Sequence, residues 1–189
     1  MLTFFSTGYD KIMLERLGDL RTLGIYSVGV TIAGYLSLFS SSINDTFQPD
    51  IYESIVKRNF NRCVKYVLMK LSIMSVCVIL FAVFAPFIIN ILTYGRYIES
   101  APYAIIVAIS SITSMMYYSM SQVTVAMGYT KITLVNKILG SVVSILSFGF
   151  LINTFGAIGA AWGVVLSYMY FFTGNAVLVY YNYKKNHKK

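Results

Sequence analysis

The chain has 189 residues, of which 57% are hydrophobic and 12% charged, with a formal net charge of +8, and its mean hydropathy is +0.69. This balance excludes an ordinary soluble domain and marks a membrane protein. The positive excess does not call for a nucleic-acid partner, because its placement follows membrane topology.

Residues 1–8, MLTFFSTG, are apolar but too short to cross a bilayer. They read as the second half of a transmembrane helix, with a helix lying in the interface as the alternative. A signal peptide fits less well, since no basic segment precedes the apolar residues and no small-residue cleavage site follows. Residues 9–21, YDKIMLERLGDLR, alternate acids with bases and read as a surface loop with weak local ion pairs. Asp10, at the end of the partial helix, is the acid of this loop placed to face a translocation path.

Four stretches then carry no charge: Thr22 to Asn44, Leu71 to Gly95, Ser100 to Thr130 and Ile138 to Tyr183. Because a bilayer crossing takes about 20 helical residues, the first three hold one span each. The fourth holds two, with a turn at NTFGAIG, Asn153 to Gly159. The expected fold is all-α: a polytopic transmembrane helix bundle of five complete spans plus a partial N-terminal span, forming one domain over 1–189.

At the end of the first full span, SSINDTFQPD (41–50) brings Asn44, Asp45, Gln48 and Pro49 together. Either the helix exits here, broken by Pro49, or it continues with Asn44, Asp45 and Gln48 close to one face at the mouth of an internal cavity. A carboxylate at mid-membrane costs about 2.5 to 3.5 kcal/mol, and this favours the exit. The following segment, YESIVKRNFNRCVKY (52–66), is either an amphipathic helix in the headgroups or a plain helix extension into water.

Several tyrosines, among them Tyr52, Tyr66, Tyr94, Tyr97, Tyr103 and Tyr129, fall where interface belts are expected. Tyr117, Tyr118 and Gln122 lie deeper in their charge-free stretch, where such groups prefer a neighbouring helix or a wet cavity to lipid. Small residues recur at every fourth position, as Gly29, Ala33, Ser37 and Ser41 and again as Gly159, Gly163 and Ser167, and mark close helix packing.

Lys57, Arg58, Arg62, Lys65 and Lys70 separate two spans, Lys131 and Lys137 precede another, and Lys184, Lys185, Lys188 and Lys189 follow the last. Alternating helices put these groups on one side, which by the positive-inside rule is the cytoplasm, together with the C-terminus. Cys63, Cys77 and His187 have no metal-ligand spacing. The sequence holds no glycine-rich phosphate loop, nucleophile elbow or histidine pair, so no enzyme, catalytic residue, metal or cofactor is expected.

GIYSVGVTIAGYLSLFSSSINDTFQPDIYE (24–53) resembles a helix of lipid-linked oligosaccharide flippases that begins Gly-Ile-Tyr-Ser and ends in a polar segment, a Pro and Ile-Tyr-Glu. The region 94–168 resembles the C-terminal part of that family in its Ala-Pro, its Ser-Gln, its Met-Gly-Tyr-Thr-Lys and its Phe-Gly-Ala-Ile-Gly-Ala-Ala hairpin, and GYDKIML (8–14) matches a further position. Asn153 departs from the family, which commonly has Pro before that hairpin.

The resemblance implies the multidrug/oligosaccharidyl-lipid/polysaccharide exporter superfamily, whose members set two helix bundles around a central cavity. It also implies a lipid-linked oligosaccharide moved across the plasma membrane by alternating access. The chain would be the C-terminal bundle, needing an N-terminal bundle or a second copy as partner. Asn44, Asp45, Gln48, Tyr117, Tyr118 and Gln122 are the expected polar lining of the substrate path. A cation-coupled drug exporter of the same superfamily, and a non-transporting membrane scaffold or inactive fragment, are the alternatives.

Overall fold

A computed structural model describes residues 9–16 and 20–186, with side chains for 10–16 and 20–180, and every regular element in it is helical. The order is α1 (Tyr9–Arg16), α2 (Leu20–Val56), α3 (Phe60–Thr93), a short 3-10 turn (Ile98–Ser100), α4 (Ala101–Ala126) and α5 (Thr130–Asn186). Four segments, Leu20–Val56, Phe60–Thr93, Ile98–Ala126 and Thr130–Tyr180, are long and apolar enough to cross a membrane, so the chain is a multi-pass membrane protein. Helices are the form such segments must take, because in lipid each backbone N–H and C=O has to find its partner within the segment.

The connections are tight and locally encoded. Between α2 and α3 the chain reverses over Lys57 to Asn59, with Arg58 at φ 53°. Asn59 caps α3 by accepting from the Arg62 N–H at 3.1 Å. At the other end Tyr94 and Gly95 both take positive φ, and the Gly95 N–H closes the helix on the Asn90 carbonyl at 2.9 Å. Residues 52–66 are therefore two helix ends and a three-residue corner, the plain-extension reading and not a helix lying in the headgroups.

Within α5 a single residue is non-helical: Gly156, at φ 59° and ψ −135°. That region of backbone space is open to glycine and strained for any other residue. The arms on either side, 130–155 and 157–186, fold back against each other. Gly159 meets the Leu151 backbone, Gly163 the Phe148 ring, Gly140 the Phe171 ring and Gly174 the Asn136 side chain. These pairs step outward evenly from Gly156, which defines an antiparallel hairpin with its turn where NTFGAIG placed it.

α4 is the central helix, packed against α2, α3 and α5. Met115, Ala108, Met74, Val78 and Ile43 fill one side of it, and Val107, Tyr26, Ala33, Phe148 and Ala160 another. Val83, Phe87, Leu146 and Phe150 lie exposed on the outside, the apolar surface that lipid covers. Gly29 permits the contact between α2 and the start of α4, since a Cβ there would sit 2.8 Å from the Ser100 carbonyl oxygen.

Three expectations need correction or placement. Lys70 does not stand apart with the basic residues between two spans: α3 starts ten residues earlier, at Phe60, and carries Lys70 into the bundle, where it is 0% exposed. Asp10 does not face a path, because it is buried and accepts a hydrogen bond at 2.6 Å from the Tyr26 hydroxyl. The partial helix expected at 1–8, Asp19, and the tail residues His187, Lys188 and Lys189 lie outside the described residues.

A polar cavity between α2 and α4

α2 does not stop at SSINDTFQPD. It runs through Pro49 to Val56, so the polar residues stay on a helix and keep helical spacing. Proline costs this helix one backbone bond, from position 49 to the Asp45 carbonyl. The face so formed looks onto a cavity of about 370 Å³. Asn44, Asp45 and Gln48 line it from α2, Tyr118 and Gln122 from α4, and Tyr168 from the second arm of α5.

Five of the six residues expected from the sequence thus share one wall. Tyr117, the sixth, is buried behind it. Its ring packs at a tilt against Tyr118 at 5.2 Å and Phe171 at 5.4 Å, so it backs the wall without forming it. Tyr118 in turn leans on Tyr168, with ring centroids 6.5 Å apart.

Serines supply much of the remaining polar surface: Ser37, Ser40 and Ser41 on α2 and Ser114 and Ser121 on α4. Ser37 and Ser41 continue the small-residue stripe of Gly29 and Ala33, but the stripe divides. The first two residues pack against neighbouring helices, whereas the serines open onto the cavity.

Beside Asp45 on the wall, a positive charge stands behind the site: Lys70, one helix away on α3. Its Nζ donates to Asn44 Oδ1 at 2.7 Å and to Gln122 Oε1 at 3.1 Å. Among the described residues no carboxylate pairs with it. Gln122 Nε2 makes only long approaches, 3.5 Å to the Asn44 carbonyl and 3.5 Å to Gln48 Oε1. Lys70 therefore ties α2, α3 and α4 together at one level, and the two amides stand between the ammonium and the cavity they line.

The level is informative. Lys70 lies roughly 16 Å along α3 from the Asn59 corner at 1.5 Å per residue, where the charge-free run of α3 begins. Asn44 ends the charge-free run of α2. The cavity therefore lies towards the half of the bundle that carries Lys57, Arg58 and Arg62, and along α2 it extends from Tyr52 to Ser37.

Sequence reasoning missed Lys70, Tyr168 and the serines. The available signal for Lys70 was its position beside an uninterrupted apolar run that would make it part of the same helix. Tyr168 carried no local signal, because the α5 hairpin brings it to the wall. Comparison with protein-family models, with curated proteins and with solved structures finds no match to the chain.

Proposed function

We propose that the chain is one half of a flippase that moves a lipid-linked oligosaccharide across the plasma membrane by alternating access, in the service of polysaccharide biosynthesis. On this reading the bundle has five complete spans plus a partial one at the start, and its C-terminus is cytoplasmic, as the clustering of basic residues on one side implies.

The observation that carries the proposal is the cavity wall. Asp45, Ser37 and Ser41 are exposed at the level of the membrane-length helices, and they face the same cavity as Asn44, Gln48 and Gln122. A lipid-facing surface does not carry a carboxylate, which would lose its water there without gaining a partner. Such a wall fits an aqueous path completed by a second bundle, either a separate N-terminal half or a second copy. Polar amides and hydroxyls suit a sugar, and the aromatic pair Tyr118 and Tyr168 offers faces for its rings.

A cation-coupled exporter is the second reading, favoured by one observation: Asp10 is a buried carboxylate held by the Tyr26 hydroxyl. Its separation from the cavity lining makes this the weaker account. The test is complementation of a strain lacking its own polysaccharide flippase. The expected result is rescue when the chain is joined to an N-terminal half and none by the chain alone. Failure of both forms, with the protein present in the membrane, counts against transport.

A further inference from the structure

The corner between α2 and α3 combines two chemistries that water and hydrocarbon each reject. Phe60, Val64 and Leu68 follow one another at helical spacing along α3, and all three are more than half exposed. Among them stand the exposed bases Arg62 and Lys65, with Lys57 and Arg58 just before. A row of large apolar side chains is out of place in water, and four charges are out of place among acyl chains. Side chains that need both surroundings belong at the level of the headgroups.

The length of the helix agrees. α3 has 34 residues, about 51 Å at 1.5 Å per residue, whereas a bilayer with its headgroups measures about 40 to 45 Å. Both ends of a centred, upright α3 therefore reach the headgroup layers. Lys65 lies about 8 Å deeper than Phe60 by the same rise.

The bases are not equally free. Residues 50–65 hold four of them against two carboxylates, Asp50 and Glu53. Lys57 pairs with Glu53 one turn earlier. Arg62 is held on Tyr66, donating to its hydroxyl at 3.0 Å and lying over its ring at 5.5 Å. Arg58 and Lys65 have no ion-pair partner among the described residues. Lys65 stands one turn from Leu68 and Met69, both exposed and apolar. Its stem leaves the helix towards the corner, because Cα–Cβ bonds tilt towards a helix N-terminus.

We propose that this corner docks an anionic phospholipid of the surrounding leaflet, its headgroup phosphate against Arg58 and Lys65 and its acyl chain along Leu68 and Met69. Charge complementarity selects an anionic lipid over a neutral one, and the apolar face that continues from the bases down α3 selects a lipid over a soluble anion. This lipid is a resident of the membrane and not cargo, since none of these residues lines the polar cavity. The inference does not rest on the transport reading.

The test uses the full chain in vesicles of phosphatidylcholine, with Leu68→Trp in a Trp162→Phe background so that the only indole sits beside Lys65. Bromine near the top of an acyl chain quenches an indole on contact. Brominated phosphatidylglycerol is compared with brominated phosphatidylcholine at the same mole fraction. The expected result is a preference of about fivefold or more for phosphatidylglycerol, falling to within about twofold when Arg58→Asn and Lys65→Gln are added. Asn is chosen at position 58 because the backbone there has φ 53°, which Asn tolerates better than most residues. Arg96→Gln removes one exposed base beyond the far end of α3 and should leave the preference unchanged.

Equal quenching by the two lipids before the bases are changed overturns the proposal, and so does a preference that survives their removal. Quenching by neither lipid also overturns it, by showing that water, a second copy or another protein covers the corner. Where the variant lacking both bases does not fold, the salt response carries the test. A preference that does not shrink between about 0.1 M and about 1 M salt is not held by charge at the surface, and the site falls with it.

Discussion

At the residue scale two of the buried polar contacts that pin the bundle differ in character. The first is Lys70 with Asn44 and Gln122, where a charge is held by neutral oxygens. Removing one acceptor leaves the ammonium short of a partner, which costs about 1 to 3 kcal/mol. Asn44→Leu is therefore expected to lower unfolding stability in detergent by that amount. Adding Lys70→Met should recover part of the loss, because the isolated buried charge is then gone. A double variant less stable than Asn44→Leu alone would show that Lys70 finds another partner.

The second contact is the 2.6 Å bond from the Tyr26 hydroxyl to Asp10 Oδ2. The other oxygen, Oδ1, is buried without a hydrogen bond among the described residues. Tyr26→Phe keeps the ring, its edge contact with Tyr103 at 5.9 Å, and the packing around it. What it removes is the donor, at about 1 to 3 kcal/mol. A melting transition unchanged by this variant would mean that Asp10 is satisfied in some other way.

At the element scale the hairpin of α5 depends on one backbone conformation. Gly156→Ala forces a Cβ into a region that only glycine occupies without strain, at a cost of about 1 to 3 kcal/mol. Gly149, in the first arm, is helical, and nothing lies within 4 Å of the position a Cβ would take there, so Gly149→Ala should be neutral or slightly stabilising, by about 1 kcal/mol at most. Unfolding of the two variants side by side gives the comparison, and equal losses would place the turn elsewhere. This hairpin was readable in the sequence, since two glycines beside Asn153 and Thr154 interrupt an apolar run twice the membrane length.

The end of α2 was less readable. Its charge-free run was already long enough to span, and a proline followed, so an exit at Asp45 satisfied every local rule. What the local rules do not contain is that α3 and α4 stand beside that segment. Lys70 from α3 gives the Asn44 side chain its donor and is held in turn by Gln122 from α4, and this lets the helix carry polar residues onward. The same omission counted Lys70 with the basic residues between two spans: that count treats each lysine alike, and only the packing of neighbouring helices distinguishes a buried one.

At the scale of the whole molecule, the outer surface has two kinds of face, and they predict different solvents. Val83 and Phe87 on α3 are 68% and 64% exposed and lie among other exposed apolar side chains such as Ile79, Leu80 and Phe84, a face for lipid. Ser37, Ser41 and Asp45 on α2 are also exposed but border the polar cavity. Exposure alone does not separate the two; chemistry does, because a maleimide reacts with the thiolate and a thiol forms it readily only where water reaches. With Cys63 and Cys77 replaced by serine, single cysteines at 37, 41 and 45 are expected to react with a water-soluble maleimide in membranes, while one at 83 stays unmodified. Labelling at 37 should be the slowest of the three, since of these positions it lies farthest along α2 from the basic corner at Lys57 and Arg58. Uniform protection of all four positions would mean that lipid or a permanent protein partner covers the polar wall, and the aqueous path would have to be abandoned. Uniform reaction would mean that the α3 face is not against lipid, and the assignment of the bundle's outer surface would have to change with it.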